Sequence, residues 1–138
     1  MRVLVDLNVV LDVLENREPH FLDSVKVWTA IDKGNVTGYL AAHSITTLFY
    51  IMRQRIGTEQ AAQLLTNTLN IFSVAPVDEK VIRQAISLHW DDFEDAVQMC
   101  AAAQVGADYL ITRNVKDFKD GNVPVIMPTA FGSLLKGD

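Results

Sequence analysis

The stretch DDFEDAVQ, residues 91–98, puts four carboxylates into five positions: Asp91, Asp92, Glu94 and Asp95. An apolar, alanine-rich run follows, so the acids open a helix. Asp92 fits the N-cap, with Asp95 three residues on in an arrangement like a capping box. Acids in a first turn also suit the helix dipole. Those tasks need one or two acids, each contributing roughly 0.3–2 kcal/mol. Four of them repel one another, and a divalent cation would relieve the repulsion.

Two further segments carry oxygen donors. DLNVVLD, residues 6–12, holds Asp6, Asn8 and Asp12. A helix starting near residue 7 puts Asn8 and Asp12 on one face; the plainer role for Asp6 or Asn8 is an N-cap. TRNVKDF, residues 112–118, offers oxygens on Thr112, Asn114 and Asp117, with cations on Arg113, Lys116 and the nearby Lys119. Alone it is a polar loop after a strand. Together the three segments have a chemical logic. Mg²⁺ and Mn²⁺ are hard cations that take carboxylate oxygens and water from few protein ligands. Phosphodiester hydrolysis needs an activated water and a clamped, charged transition state, and such ions supply both.

The elements that must position these residues alternate. RVLVD (2–6), VTGYLAA (36–42), IFSVAPV (71–77), YLIT (109–112) and VPVIM (123–127) read as short buried strands. Helical spacing covers 7–15, 20–33, 44–55, 58–69, 78–88, 93–105 and 128–135. Gly34, Gly57 and Gly106 stop helices, Thr58 and Asp78 cap them, and Pro128 starts the last. Strands alternating with helices imply an α/β fold, a parallel sheet covered on both faces, with ligands beyond the carboxyl ends of its strands. Asp6 and Thr112–Asn114 stand at two such ends.

A chain of 138 residues, 49% hydrophobic and 21% charged, is one globular domain spanning 1–138. MRVLV meets Asp6 too soon for a signal peptide, and no apolar run is long enough for a bilayer. The single Cys100 leaves no internal disulfide, so a reduced, cytoplasmic protein is expected. The net charge of −5 argues against a protein that merely coats phosphates. It does not argue against a nuclease whose acids hold metal.

These residues resemble the PIN domain family, in its small bacterial branch with a DFEDA-type segment. The likeness runs through VDLNVVLDVL, GYLAAHSITTLFYIMRQ, DFEDAVQ, ADYLITRNVKDF and IMPTAF. It implies a three-layer α/β/α sandwich around a parallel sheet and a Mg²⁺- or Mn²⁺-dependent ribonuclease for single-stranded RNA. Many small members resemble VapC toxins, which are homodimers held inactive by an antitoxin. Carried over, the metal-binding and catalytic acids fall on Asp6, Asp95 and Asp117, with Asn114 where many members have Asp. Thr112 matches a small hydroxyl residue at that strand end. Asn8, Asp12, Thr47 and Glu94 are supporting candidates, and Arg53, Arg113 and Lys116 are candidates for phosphate. One departure stands out. The family usually has a Glu early in the helix after the second strand; HSITTLFYIM reads Thr46 or Thr47 there and holds no acid. Asp12 or Glu94 would have to compensate.

Other residues read plainly. His20, His43 and His89 lack metal-binding spacing. Ser44 has no nucleophile-elbow context. Trp28, Trp90, Phe49 and Tyr50 read as core or interface. Two alternatives to the nuclease are a degenerate PIN-like module that binds RNA or protein, and a phosphoryl-transfer domain. The latter lacks the second Asp of a DxD start, because Asn8 sits there, and lacks an acid in 40–47.

Overall fold

The computed structural model describes residues 1–136. In chain order the elements are β1 (Arg2–Val5), α1 (Leu7–Leu14), α2 (Phe21–Asp32), β2 (Thr37–Ala41), α3 (Ala42–Ile56), α4 (Thr58–Leu69), β3 (Ser73–Ala75), α5 (Glu79–Leu88), α6 (Phe93–Gln104), β4 (Tyr109–Ile111), β5 (Val125–Ile126) and α7 (Pro128–Lys136). A 3-10 turn at Val115–Asp117 follows β4. The strands form one sheet in the order β3-β2-β1-β4-β5, every pair parallel. Thus β1 is central, and β4, made a hundred residues later, is its direct neighbour: Val3 faces Tyr109 and Val5 faces Ile111 in register.

Strand alternation divides the core into two layers. Val3, Val5, Leu40 and Ile111 point to one face, where they meet Val9 and Val10 of α1, Val27 and Ile31 of α2, Leu48 and Met52 of α3, Ala61 of α4 and Phe131 of α7. Leu4, Ala41 and Leu110 point to the other face, against Val81 and Ala85 of α5 and Ala96, Ala101 and Ala102 of α6. The result is the expected three-layer sandwich, with helices on both faces of a central parallel sheet. Central strands lose water on both sides, which explains why RVLV and YLI are apolar without alternation. Small residues let α6 lie close to the sheet, and Gly38 does the same for α2: a Cβ there would fall 2.5 Å from Ile31 Cδ1.

The caps explain where the helices begin. Asp78 accepts from Val81 N–H at 3.0 Å and starts α5; Asp92 accepts from Asp95 N–H at 3.1 Å and starts α6. The expected cap of α4 is corrected: Gly57, at φ +84, holds both the C-cap of α3 and the N-cap of α4, and Thr58 is already inside the helix. A positive φ needs no Cβ, so one glycine can reverse the chain between two helices. α3 also starts two residues earlier than its sequence pattern indicates, directly from β2. Cys100 is buried in α6, as its apolar stripe implies, and burial pushes its thiol up. Among the described residues no helix is long and apolar enough to cross a membrane.

Candidate functional site

β1 runs into α1 without a loop, so Asp6 stands at the carboxyl edge of the central strand, held by Asp6 N–H to Ile111 O at 2.9 Å. Its backbone is that of an N-cap, yet its side chain makes no cap hydrogen bond. The carboxylate is claimed from elsewhere. Thr112 Oγ1 donates to Asp6 Oδ2 at 2.7 Å, and Gln98 Nε2 donates to Asp6 Oδ1 at 3.2 Å. The first is a short, charge-assisted bond. Asp6 is 8% exposed and Thr112 fully buried, so the pair is held in place by its surroundings. With its hydrogen turned to Asp6, the Thr112 hydroxyl accepts from Asn114 N–H at 3.0 Å and from Asn8 Nδ2 at 3.4 Å. Thr112, Asn8 and Asn114 therefore act through one hydroxyl on one carboxylate.

Asp95 sits in the first turn of α6, half-buried. Burial, and then the charges of Asp92, Asp6 and Asp117, push its carboxyl up to about 7. Asp6 at the end of β1 is tied through Gln98 to α6, the helix whose first turn carries Asp95, and Asp117 stands in the turn that follows β4. Removal from water and the like charges around it both disfavour the ionised form of the Asp95 carboxyl. Among the described residues, no three His, Cys, Asp or Glu side chains converge tightly enough to hold a metal by themselves. Mg²⁺ asks for less, one or two carboxylates with water filling the rest. The donors here are hard oxygens, and Asn8 Oδ1 and Gln98 Oε1 are buried without partners. The residues fit a hydrated hard cation and do not fit a closed, all-protein cage.

Other candidates lie elsewhere. Asp12 is completely buried, and its Oδ2 accepts from Arg113 Nε at 2.7 Å and from Ser24 Oγ at 3.0 Å. That pair ties the start of the TRNVKD loop to α1 and α2, and it occupies the guanidinium proposed for phosphate. Arg53 is in the last turn of α3, about 16 Å along the axis from the edge where that helix starts. Its guanidinium lies 5.7 Å from the Tyr50 ring. The neighbouring Arg55 pairs with Glu15 just past the end of α1, so this arginine end of α3 is not brought to the loop. Lys116 and Asp117 are exposed on the 3-10 turn and line an open pocket with Lys119, Trp90 and Asp92. Glu94 is exposed in α6, and its carbonyl lies 3.2 Å from His43 Nε2.

Residues 2–116 match the PIN domain family. The chain belongs to that family. This PIN domain is 25% identical over 135 residues to ribonuclease VapC1 of Aquifex aeolicus (strain VF5), a match that covers 94% of this chain and 92% of that protein. Solved structures share its fold. VapBC-1 from nontypeable Haemophilus influenzae matches with a TM-score of 0.73 at 17% identity, over 94% of this chain and 99% of that one. FitAcB from Neisseria gonorrhoeae matches with a TM-score of 0.68 at 22% identity, over 92% and 98%. Thr46 and Thr47, the two residues the resemblance sets against the usual Glu, both turn their hydroxyls to their own helix and donate to His43 O, at 2.7 and 3.3 Å. Gln98 and Ser24 escaped the sequence reading. Gln98 lies one turn beyond Asp95, inside the same DFEDAVQ segment, and that spacing is the signal that could have found it. Ser24 carries no local signal.

Proposed function

We propose that this PIN domain is a metal-dependent ribonuclease for single-stranded RNA, and the toxin of a toxin–antitoxin pair. The observation that supports this reading is Asp6 at the carboxyl end of β1, bonded by Thr112 of the adjacent segment and by Gln98 of α6, the helix in whose first turn the Asp95 carboxyl is raised to about 7. The likeness to ribonuclease VapC1 supports the reaction. The fold shared with VapBC and FitAcB proteins supports the biological setting.

In this reading Asp6 and Asp95 hold Mg²⁺ or Mn²⁺, with Asp117 reaching in from the 3-10 turn. When bound, the ion supplies positive charge that activates water and stabilises the phosphoryl transition state. Thr112 and Gln98 fix both oxygens of Asp6, so it need not reorganise when charge develops. Asn8 and Asn114 hold the Thr112 hydroxyl. Lys116, exposed beside Asp117, meets the RNA phosphates. Asp12 and Arg113 take a positioning role instead of ligation. An antitoxin that holds the protein inactive is part of this reading. A homodimer belongs to the same reading, and so does the cytoplasm, where the unpaired Cys100 thiol stays reduced.

A second reading rests on Thr47. Its hydroxyl is spent on the backbone, so the fourth acid of the family pattern has no replacement on α3. A catalytically degenerate module that binds RNA or protein would have this feature. Cleavage of a mixed single-stranded RNA by the purified protein, with Mn²⁺ or Mg²⁺ and beside an Asp6→Ala/Asp95→Ala control, separates the two. Cleavage that needs both the metal and the aspartates supports the nuclease. No cleavage, together with no metal binding by calorimetry, favours the binding module.

A further inference from the structure

A pocket of about 500 Å³ has Trp90 in its wall together with four acids, Asp91, Asp92, Asp117 and Asp120, and two lysines, Lys116 and Lys119. One of these, Asp92, accepts from Asp95 N–H at 3.1 Å, and Asp117 is itself a candidate ligand. The pocket therefore adjoins the proposed scissile position. The volume is in the range of small-ligand sites.

We propose that this pocket is a nucleobase subsite, in which an unpaired base next to the cleaved phosphodiester stacks on Trp90. The inference rests on the ribonuclease reading and adds where the substrate strand lies. Trp90 is half-buried and held edge-to-face by the core residue Phe118, with ring centroids 6.0 Å apart and planes at 83°. An indole fixed from behind and open to a pocket loses little entropy on stacking. His89, just before it, closes α5 in the left-handed region at φ +58, ψ +34. A left-handed residue at this position is a common way to end a helix. It turns the chain so that Trp90 lies beside Asp92. The pocket's two lysines, Lys116 and Lys119, are outnumbered by its four aspartates, so stacking on Trp90 rather than phosphate attraction carries the contact. Aromatic stacking is the general chemistry of single-strand recognition, and it excludes duplex RNA, whose bases are already stacked.

The test uses Trp90 emission. The Trp28→Phe protein has Trp90 as its sole tryptophan; if that variant does not fold, the difference between wild type and Trp90→Phe gives the same signal. Chelator blocks cleavage while a short single-stranded oligoribonucleotide is titrated in, beside an abasic strand of equal length. Quenching by the base-bearing strand and not by the abasic one is expected. In the presence of Mn²⁺, Trp90→Ala is expected to raise KM for RNA about tenfold, as loss of one stacked base would. Equal response to both strands, or none in folded protein, overturns the subsite. Base-dependent quenching without any cleavage by wild type keeps the subsite and rejects the ribonuclease. Cleavage with KM unchanged in Trp90→Ala does the reverse.

Discussion

Arg113 Nε donates to Asp12 Oδ2 at 2.7 Å, although the residues are 101 apart in sequence and Asp12 has no exposure to solvent. The pair couples the loop bearing Thr112, Asn114 and Asp117 to the helix that starts at Asp6. One prediction concerns its removal. Asp12→Ala leaves a guanidinium partly buried and unpaired, and strips Ser24 of its acceptor. The expected loss is about 2–4 kcal/mol, below the figure for a fully buried pair because Arg113 reaches water. Urea denaturation measures it. An unchanged midpoint would show that the pair is dispensable.

The raised Asp95 carboxyl predicts the pH dependence of the metal-free protein. A free aspartate titrates near 3.8, whereas folded Asp95 holds its proton to about 7. Between these values the unfolded chain releases a proton that the folded chain keeps, so rising pH weakens the fold through this group. Its favourable contribution is complete below pH 4 and gone above pH 7. Urea midpoints at pH 5 and pH 8 with chelator are expected to fall more for wild type than for Asp95→Asn. Equal falls would remove Asp95 as the cause.

A divalent ion reverses that trend. Mn²⁺ competes with the proton for Asp95, so its binding is expected to strengthen from pH 6 to pH 8. The rise in Tm on adding Mn²⁺ follows the same direction. Asp6→Ala is expected to abolish both. Calorimetry showing unchanged affinity in that variant would place the metal elsewhere.

The two donors on Asp6 differ in strength, which orders their variants. Thr112→Val removes the 2.7 Å bond and Gln98→Leu the 3.2 Å bond. Losses of about 10–100-fold in metal affinity or RNA cleavage are expected, larger for Thr112→Val. Far-ultraviolet circular dichroism checks that both variants stay folded. Full activity in both would mean that Asp6 needs no orientation.

Much of this arrangement was legible in the chain because the relevant rules are local. RVLV and YLI read as buried parallel strands, and in such sheets the residue after the strand faces the ligand; hence Asp6 and Thr112. Asp78 and Asp92 were readable as caps because a cap needs only its own helix. What stayed hidden depends on which distant surfaces meet. Asp6 looks like a cap and is turned away from its helix by Thr112 and Gln98. Asp12 and Arg113 resemble a ligand and a phosphate binder until the fold pairs them. Arg53 would meet phosphate only if it lay beside the loop, and α3 carries it away from that edge. The turn at Gly57 shows the same limit at short range, since one residue ends a helix and begins the next.

The central strand carries a last consequence. Asp6 precedes the hydroxyl that orients it, Thr112, by 106 residues, and that hydroxyl arrives at the end of the strand beside β1. A ribosome therefore displays Asp6 long before the centre can assemble. Chains that stall or are clipped before β4 lack Thr112, Asn114 and Asp117 together. If the complete chain cuts RNA, its unfinished forms are harmless to the cell that makes them. The order of strands in the sheet then serves as a timing device for synthesis.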